Sequence, residues 1–286
     1  MLTAEPVGLK LALAVVMLLI FGILLVVVGT GRDQGDSVAA EAGEANEALA
    51  SRIPEPSAPE LRNFTAWEAL LDFGFWIQFA GAMIGGGAGF VIINNITQMN
   101  LALGGDPSLK DVFVTIISIC NCSGRLGAGA VSDYLLLSWH VPRPFFYGIA
   151  VLFMSLTHAS LLLISSPGIM YVAATGAGLS FGAINCLQPI VASELYGNRN
   201  FGTIYTLVSL GFVPGSYLSA WLTGSVYDNH AVVHGDVKSC SGRACFQLTE
   251  LMCVVLCGAC SLGLFFLASQ SRERYSQMYP ARRACC

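Results

Sequence analysis

Charged residues are scarce in this chain of 286 residues: they make up 11% of it, against 55% hydrophobic residues and a mean hydropathy of +0.66. Soluble domains usually carry about 25% charged residues. The composition therefore argues against a soluble enzyme, a nucleic-acid-binding protein and a disordered scaffold. Many of the charges lie between Arg32 and Asp72, which leaves long stretches elsewhere almost without charge. We expect a polytopic membrane protein.

Cysteine is common, but the patterns that make it a metal ligand are missing. The ten cysteines include no Cys-x-x-Cys pair and no Cys/His spacing typical of a zinc site, so no metal and no cofactor is expected. The sequence also lacks a catalytic constellation, so we do not expect an enzyme. Cys240 and Cys245 lie in a polar loop and could close a small disulfide ring if that loop faces an oxidising compartment.

Seven apolar segments are long enough to cross the membrane, which takes about 20 helical residues. They lie at about 9–29, 73–94, 112–132, 145–165, 168–192, 202–223 and 247–269. They predict an all-α polytopic membrane protein with about seven transmembrane helices. We interpret the first segment as a retained span, because its apolar core is longer than that of a cleavable signal.

The composition divides the chain into four parts. We predict a first transmembrane helix over 1–30, an acidic disordered cytoplasmic linker ending in a short interfacial helix over 31–72, a six-helix bundle over 73–271 and a basic cytoplasmic tail over 272–286. Most Lys and Arg residues fall on the side of the linker and tail, which makes that side cytoplasmic and the loop from about 224 to 246 external.

Arg125 is the most informative polar residue, because it lies well inside the third apolar segment, where an isolated Arg costs about 3 kcal/mol or more. Ser118, Asn121 and Arg125 are spaced i, i+3, i+7 and so share one face of a helix. One interpretation is that Arg125, with Asn121 beside it, binds an anionic group of a substrate. A structural ion pair is the alternative.

Amide side chains recur in two other segments. Asn94, Asn95 and Gln98 are near neighbours at helical spacing in the second segment, and Asn185 and Gln188 are i, i+3 neighbours in the fifth. Buried amides in two helices suggest a polar cavity that contacts substrate. Hydrogen bonds that merely join helices are the alternative.

Proline and histidine mark two further positions inside apolar segments. Pro214, followed by Gly215, predicts a bend in the sixth segment. His158 in the fourth segment could carry protons, although a lone intramembrane His is more often simply hydrogen-bonded.

The phrase GAGAVSDYLLLSWHVPRP contains Gly129, Asp133 and Arg143 at the turn between two apolar segments. It resembles a degenerate version of the loop motif of the major facilitator superfamily, a Gly-x-x-x-Asp followed by basic residues. The resemblance implies a charge latch that opens and closes at the cytoplasmic helix ends. Glu194, at another cytoplasmic helix end, is the expected partner in that latch.

Longer phrases are more specific, among them GFVIINNITQMNLALGG, SGRLGAGAVSDYLL, LQPIVASELYGNRNFGTIY and CSGRACFQLT. From about Asp72 to Tyr275 the sequence is similar to the carboxyl-terminal half of the nodulin-like transporters, a major facilitator family that includes the nuclear-fusion-defective group. The resemblance implies a secondary transporter that rocks its helix bundles around a small organic solute, with a proton as a candidate coupling ion. Similarity to oxalate, formate and monocarboxylate carriers suggests an anion and makes Arg125 the best candidate for contacting it.

The sequence departs from this family in having one span plus six, where the family has twelve helices in two halves. The chain could be a fragment, or could pair in the lipid bilayer with a second half-transporter or with a copy of itself. A truncated, non-transporting membrane scaffold or regulatory protein is the alternative function. Glu250 also stands where an apolar residue is expected. We expect no nucleic-acid partner, and the sequence does not identify the membrane.

Overall fold

The computed structural model describes residues 63–234 and 237–279, which are almost entirely helical. In chain order the helices are α1 (Ala66–Leu71), α2 (Phe73–Ala102), α3 (Lys110–Trp139), α4 (Arg143–Leu163), α5 (Ile169–Tyr196), α6 (Phe201–Ser209), α7 (Phe212–His230) and α8 (Gln247–Met278). A short antiparallel hairpin of β1 (Val232–His234) and β2 (Val237–Ser239) lies between α7 and α8. The predicted all-α polytopic fold is confirmed. The predicted first span lies outside the described residues, as does most of the linker.

Within the described residues, five helices are long and apolar enough to cross a membrane: α2, α3 with the short helical turn before it, α4, α5 and α8. The chain is therefore a multi-pass integral membrane protein. Successive long helices run in opposite directions, with α6 and α7 counted as one broken span, so the bundle has two ends. We call them the hairpin end, where β1 and β2 lie, and the Arg143 end, where α4 begins.

Local sequence explains where several helices begin and end. Thr65 and Glu68 form a capping box at the start of α1, with each side chain accepting a hydrogen bond from the other residue's backbone N–H. Asp72 then interrupts the helix in an extended conformation before α2 begins. At the other end of the bundle, Asp106 accepts a hydrogen bond from the Ser108 backbone N–H, which lowers the pKa of this carboxyl group and starts the turn that leads into α3.

The sixth predicted span is broken into α6 and α7. The break falls at Leu210 and Gly211, about one turn before Pro214, and α7 then continues past the predicted boundary to His230. Pro214 explains the position, because its ring would clash with the carbonyl of Leu210, four residues earlier, and it has no N–H to donate. The bend predicted at Pro214 and Gly215 therefore lies one turn earlier. In contrast, α5 runs through Pro189 without a break.

One other boundary differs from the expectation. Helix α8 extends to Met278, so residues 272–278 of the predicted tail are helical. The extension has a packing reason, because Tyr275 on its last turns is fully buried. The bundle therefore reaches beyond residue 271 at the Arg143 end.

The core of the bundle lies between α2, α4, α5 and α8. Ile92, Met154, Ile184 and Leu264, one from each of these helices, are all fully buried. Of the five long apolar helices in the described part of the chain, α3 has the smallest buried share. One face of α3 is packed against α5, and the described residues leave its other face uncovered.

Candidate functional site

The uncovered face of α3 carries a polar stripe beside exposed apolar residues such as Ile119 and Leu126, although the helix is long and apolar enough to cross the membrane. Ser118, Cys122 and Arg125 are exposed on it, and Asn121 is half-buried at its edge. Arg125 Nε donates a hydrogen bond to Asn121 Oδ1 at 3.0 Å. No carboxylate among the described residues pairs with Arg125, so the ion-pair alternative finds no partner in this part of the chain. A guanidinium in such a place must face water or another protein surface.

Close contact between the backbones of α3 and α5 fixes where Arg125 lies. A Cβ atom added to Gly182 on α5 would lie 2.9 Å from the carbonyl carbon of Asn121 and 3.1 Å from the backbone nitrogen of Arg125. A Cβ atom added to Gly124 on α3 would lie 3.0 Å from the Cα of Leu179. Small residues allow this approach. The two glycines hold the polar face of α3 at a fixed rotation about its axis.

A cavity of about 310 Å³ lies between α2 and α7, toward the hairpin end. Its volume is at the lower end of the range of about 300–1,000 Å³ for ligand pockets. Its polar lining comes from both helices: Asn94, Asn95, Gln98, Ser219, Thr223, Tyr227 and Asp228. Asn95 Nδ2 donates to the Val91 carbonyl at 2.8 Å, which orients its side-chain oxygen. The three amides predicted in the second segment therefore share one cavity wall.

The amides of α5 lie elsewhere. Gln188 is buried and its Nε2 donates to Ser209 Oγ at 3.4 Å, which joins α5 to α6. Asn185 Nδ2 donates to the Phe181 carbonyl of its own helix at 2.7 Å. Neither residue lines the cavity between α2 and α7. The amides of α2 and α5 therefore do not line one common cavity in the described residues, the contact of Gln188 joins two helices, and contact of these amides with substrate stays a prediction.

Four helices and the residue that follows α8 contribute to what we call the Arg143 cluster: Asp133, Arg143, Glu194, Tyr275 and Tyr279. Arg143 Nη2 lies 2.8 Å from Asp133 Oδ1, and Arg143 Nε lies 3.1 Å from Glu194 Oε1. The second contact is ionic, since its angle does not make it a hydrogen bond. Tyr275 and Tyr279 donate their hydroxyl groups to Glu194 at 2.7 and 2.9 Å. The three charged residues expected in the latch, Asp133, Arg143 and Glu194, are therefore in contact.

The members of the Arg143 cluster differ in exposure. The side chains of Arg143 and Glu194 are 13% and 11% exposed, whereas that of Asp133 is 57% exposed. Burial, followed by the charge of Glu194, raises the pKa of Tyr279, so its phenol remains a donor at neutral pH. Gly129 lies one turn before Asp133 on α3, where its carbonyl accepts a hydrogen bond from Ser132 Oγ. The stronger half of the cluster is thus the buried pair of Arg143 and Glu194.

The structure also joins two residues that the sequence left apart. His158 Nδ1 on α4 lies 2.5 Å from Glu250 Oε2 on α8, and His158 Nε2 lies 3.2 Å from the Ala88 carbonyl on α2. Both side chains are almost completely buried. His158 is therefore not a lone histidine. The sequence contains one signal for this contact. His158 lies near the end of its segment and Glu250 near the start of an antiparallel one, so both lie at a similar depth in the membrane near the hairpin end.

The hairpin end carries a disulfide between Cys240 and Cys245, whose Cα atoms are 5.9 Å apart. The backbone N–H of Cys240 donates to the Tyr227 hydroxyl at 3.2 Å, which ties the loop to α7. Arg243, inside the ring, donates to the Leu162 carbonyl at the end of α4. A disulfide here fits the expected external orientation of the loop.

Comparison with known proteins gives consistent matches. The family model described as "NFD4, C-terminal domain" matches residues 67–277. Protein NUCLEAR FUSION DEFECTIVE 4 of Arabidopsis thaliana is 27% identical over 212 residues, which cover 71% of this chain and 36% of that protein. Probable transporter mch1 of Aspergillus fumigatus is 29% identical over 203 residues, covering 58% and 32%. Probable transporter MCH1 of Candida glabrata is 24% identical over 152 residues, covering 49% and 30%. The chain spans about a third of the length of these relatives.

Proposed function

This chain belongs to the nodulin-like, NFD4-type family of the major facilitator superfamily, and on that premise we propose that it forms the carboxyl-terminal bundle of a secondary transporter. The solute is a small organic molecule, and an anion suits the site best. Relatives named as probable transporters support the proposal. Transport of the solute proceeds by movement of the helix bundles against each other and needs no covalent chemistry.

The observation that carries this proposal is the exposed guanidinium of Arg125 within a membrane helix. Its Nε is held by Asn121, which leaves both terminal NH₂ groups free to donate toward the uncovered side of α3. Two parallel N–H groups match a carboxylate in a bidentate contact. Arg125 is therefore the residue that selects an anionic group, and Asn121 positions it.

A second bundle in the lipid bilayer, either another half-transporter or a second copy of this chain, covers the polar face of α3 in the working protein. This cover explains how a charged face is tolerated at membrane depth, because the enclosed space between two bundles can hold water and solute. Asn94, Asn95 and Gln98 supply further hydrogen bonds to the solute from the cavity between α2 and α7. The Arg143 cluster acts as the latch that holds the cytoplasmic ends of α3, α4, α5 and α8 together until the bundles move.

Solute uptake tests the role of Arg125. We expect Arg125→Lys to reduce uptake of small carboxylates by about tenfold or more at equal protein level, because Lys keeps the charge but loses the planar fork. The matched control is Arg272→Lys, on the exposed part of α8. Full uptake by the Arg125→Lys variant would remove Arg125 from the site. If the chain transported no solute either with a second half-transporter or with a second copy of itself, the non-transporting scaffold or regulator would be favoured.

A further inference from the structure

His158 and Glu250 form a contact that the proposed function does not use. The pair lies on the side of α2 that faces α4 and α8, whereas the cavity lined by Asn94 and Gln98 lies between α2 and α7. Buried charged groups inside membrane helices are costly and usually functional. The pair therefore calls for a role separate from contact with the solute.

The geometry fixes how many protons the pair holds. The Ala88 carbonyl can only accept a hydrogen bond, so His158 Nε2 must carry a proton and donate it. His158 Nδ1 and Glu250 Oε2 are 2.5 Å apart, and two unprotonated acceptors would repel each other at that distance. One further proton must therefore lie between them, either as imidazolium and carboxylate or as neutral imidazole and carboxylic acid. In both forms the pair has no net charge.

The surroundings of the pair contain few other charged or titratable groups. Cys253 lies one turn along α8 from Glu250, and Arg243 approaches from the disulfide loop. The neighbouring residues from α2, α4 and α5 in the same region are uncharged: Ala88, Met99, Ala102, Leu161, Leu162 and Met170. Arg243 is held by the Leu162 carbonyl rather than by Glu250. Apart from the fixed charge of Arg243, the charge of this region therefore depends on the proton shared by His158 and Glu250.

A small cavity adjoins Glu250 near the hairpin end. It has a volume of about 30 Å³, and Glu250, Gln247 and Arg243 are among the residues that line it. One water needs about 10–15 Å³ on this measure, so the cavity has room for about two. Glu250 Oε1 is buried and accepts no hydrogen bond from the described residues. Because Glu250 lines the cavity, a water held there is the proton acceptor that a proton-binding role requires.

We propose that His158 and Glu250 form a proton-binding site, loaded in this conformation and open to the hairpin end through the small cavity. On release, the proton passes from the Nδ1–Oε2 contact to water, which leaves neutral imidazole facing carboxylate. The imidazole then has one N–H for two acceptors, and the charged carboxylate is the stronger one, so His158 gives up its hydrogen bond to the Ala88 carbonyl. Helix α2 therefore responds to the proton, independently of which solute the protein takes.

Thermal unfolding of the full chain in mild detergent across pH 6.5 to 9 tests the site without any transport assay. The proposal requires the folded pair to hold one proton more than the unfolded chain, whose histidine loses its proton above about pH 6.5. The folded state then binds one proton more than the unfolded state, so stability must fall as pH rises. The unfolding equilibrium constant should increase about tenfold per pH unit until the pair has released its proton. A wild-type curve that does not fall with pH overturns the proposal.

Two variants assign the pH dependence to this pair. Glu250→Gln keeps the size of the side chain and donates an N–H to His158 Nδ1, so we expect the pH dependence from this site to disappear. The matched control is Glu273→Gln, an exposed position on the same helix, which should keep the wild-type slope. If Glu250→Gln does not fold, the double replacement His158→Phe with Glu250→Leu removes the pair with an apolar filling. A wild-type slope in either pair variant overturns the proposal.

Discussion

Replacing Arg143 by Met removes the cation that joins two carboxylates at the Arg143 end of the bundle. Glu194 would remain nearly buried with only the hydroxyl groups of Tyr275 and Tyr279 as partners. Removing one member of a buried ion pair costs about 3–5 kcal/mol, and we take the lower figure because both side chains keep some exposure. Asp133 is mostly exposed, so Asp133→Asn should cost at most about 1 kcal/mol.

Melting temperatures in mild detergent measure this difference. For a domain of this size, 1 kcal/mol shifts the melting temperature by about 2–4 °C, so we expect Arg143→Met to lower it by about 6–12 °C and Asp133→Asn by less than about 4 °C. Adding Glu194→Gln to Arg143→Met should recover part of the loss, because it removes the uncompensated charge. Equal losses for Arg143→Met and Asp133→Asn would refute this reasoning, and so would a double variant as unstable as the sum of its parts.

Two other predictions concern packing and covalent structure. Gly182→Leu should separate α3 from α5, because its side chain would meet the Asn121 backbone, and should abolish folding or uptake. The control is Gly127→Leu on α3, where an added Cβ meets nothing within 4 Å. We expect this control to keep wild-type expression and melting temperature. Replacing Cys240 and Cys245 by Ser should cost about 2 kcal/mol, the value expected for so short a ring. Reductant should lower the wild-type melting temperature by a matching amount, and no shift with reductant would contradict the disulfide.

The sequence predicted best what depends on local spacing. The apolar segments gave the five long helices, and helical spacing placed Ser118, Asn121 and Arg125 on one face of α3. The resemblance to a loop motif brought Asp133 and Arg143 together correctly, although only the structure adds Tyr275 and Tyr279. The reason is that Tyr275 lies beyond the apolar segment, where hydropathy no longer marks the helix.

Contacts between distant residues escaped the sequence. His158 and Glu250 are 92 residues apart and belong to no motif, so only the packing of α4 on α8 reveals the pair. The amides of α5 had the same spacing as those of α2, yet the rotation of α5 directs Gln188 toward Ser209 on α6. Rotation of a helix about its axis follows from close packing at glycines such as Gly182, which spacing within one segment does not encode.

Water access to the polar face of α3 is the most direct test of the central claim. Cys122 is a free, exposed cysteine on the same face as Arg125, and it serves as a reporter once the other free cysteines are replaced. Labelling in native membranes with a charged, membrane-impermeant thiol reagent should be fast at Cys122 and slow at Leu156→Cys, an exposed apolar position on α4. Fast labelling of Cys122 that a bound solute slows is the result we predict. Labelling as slow as that of Leu156→Cys would mean that the face of α3 meets lipid or dry protein, and would contradict a solute path along Arg125.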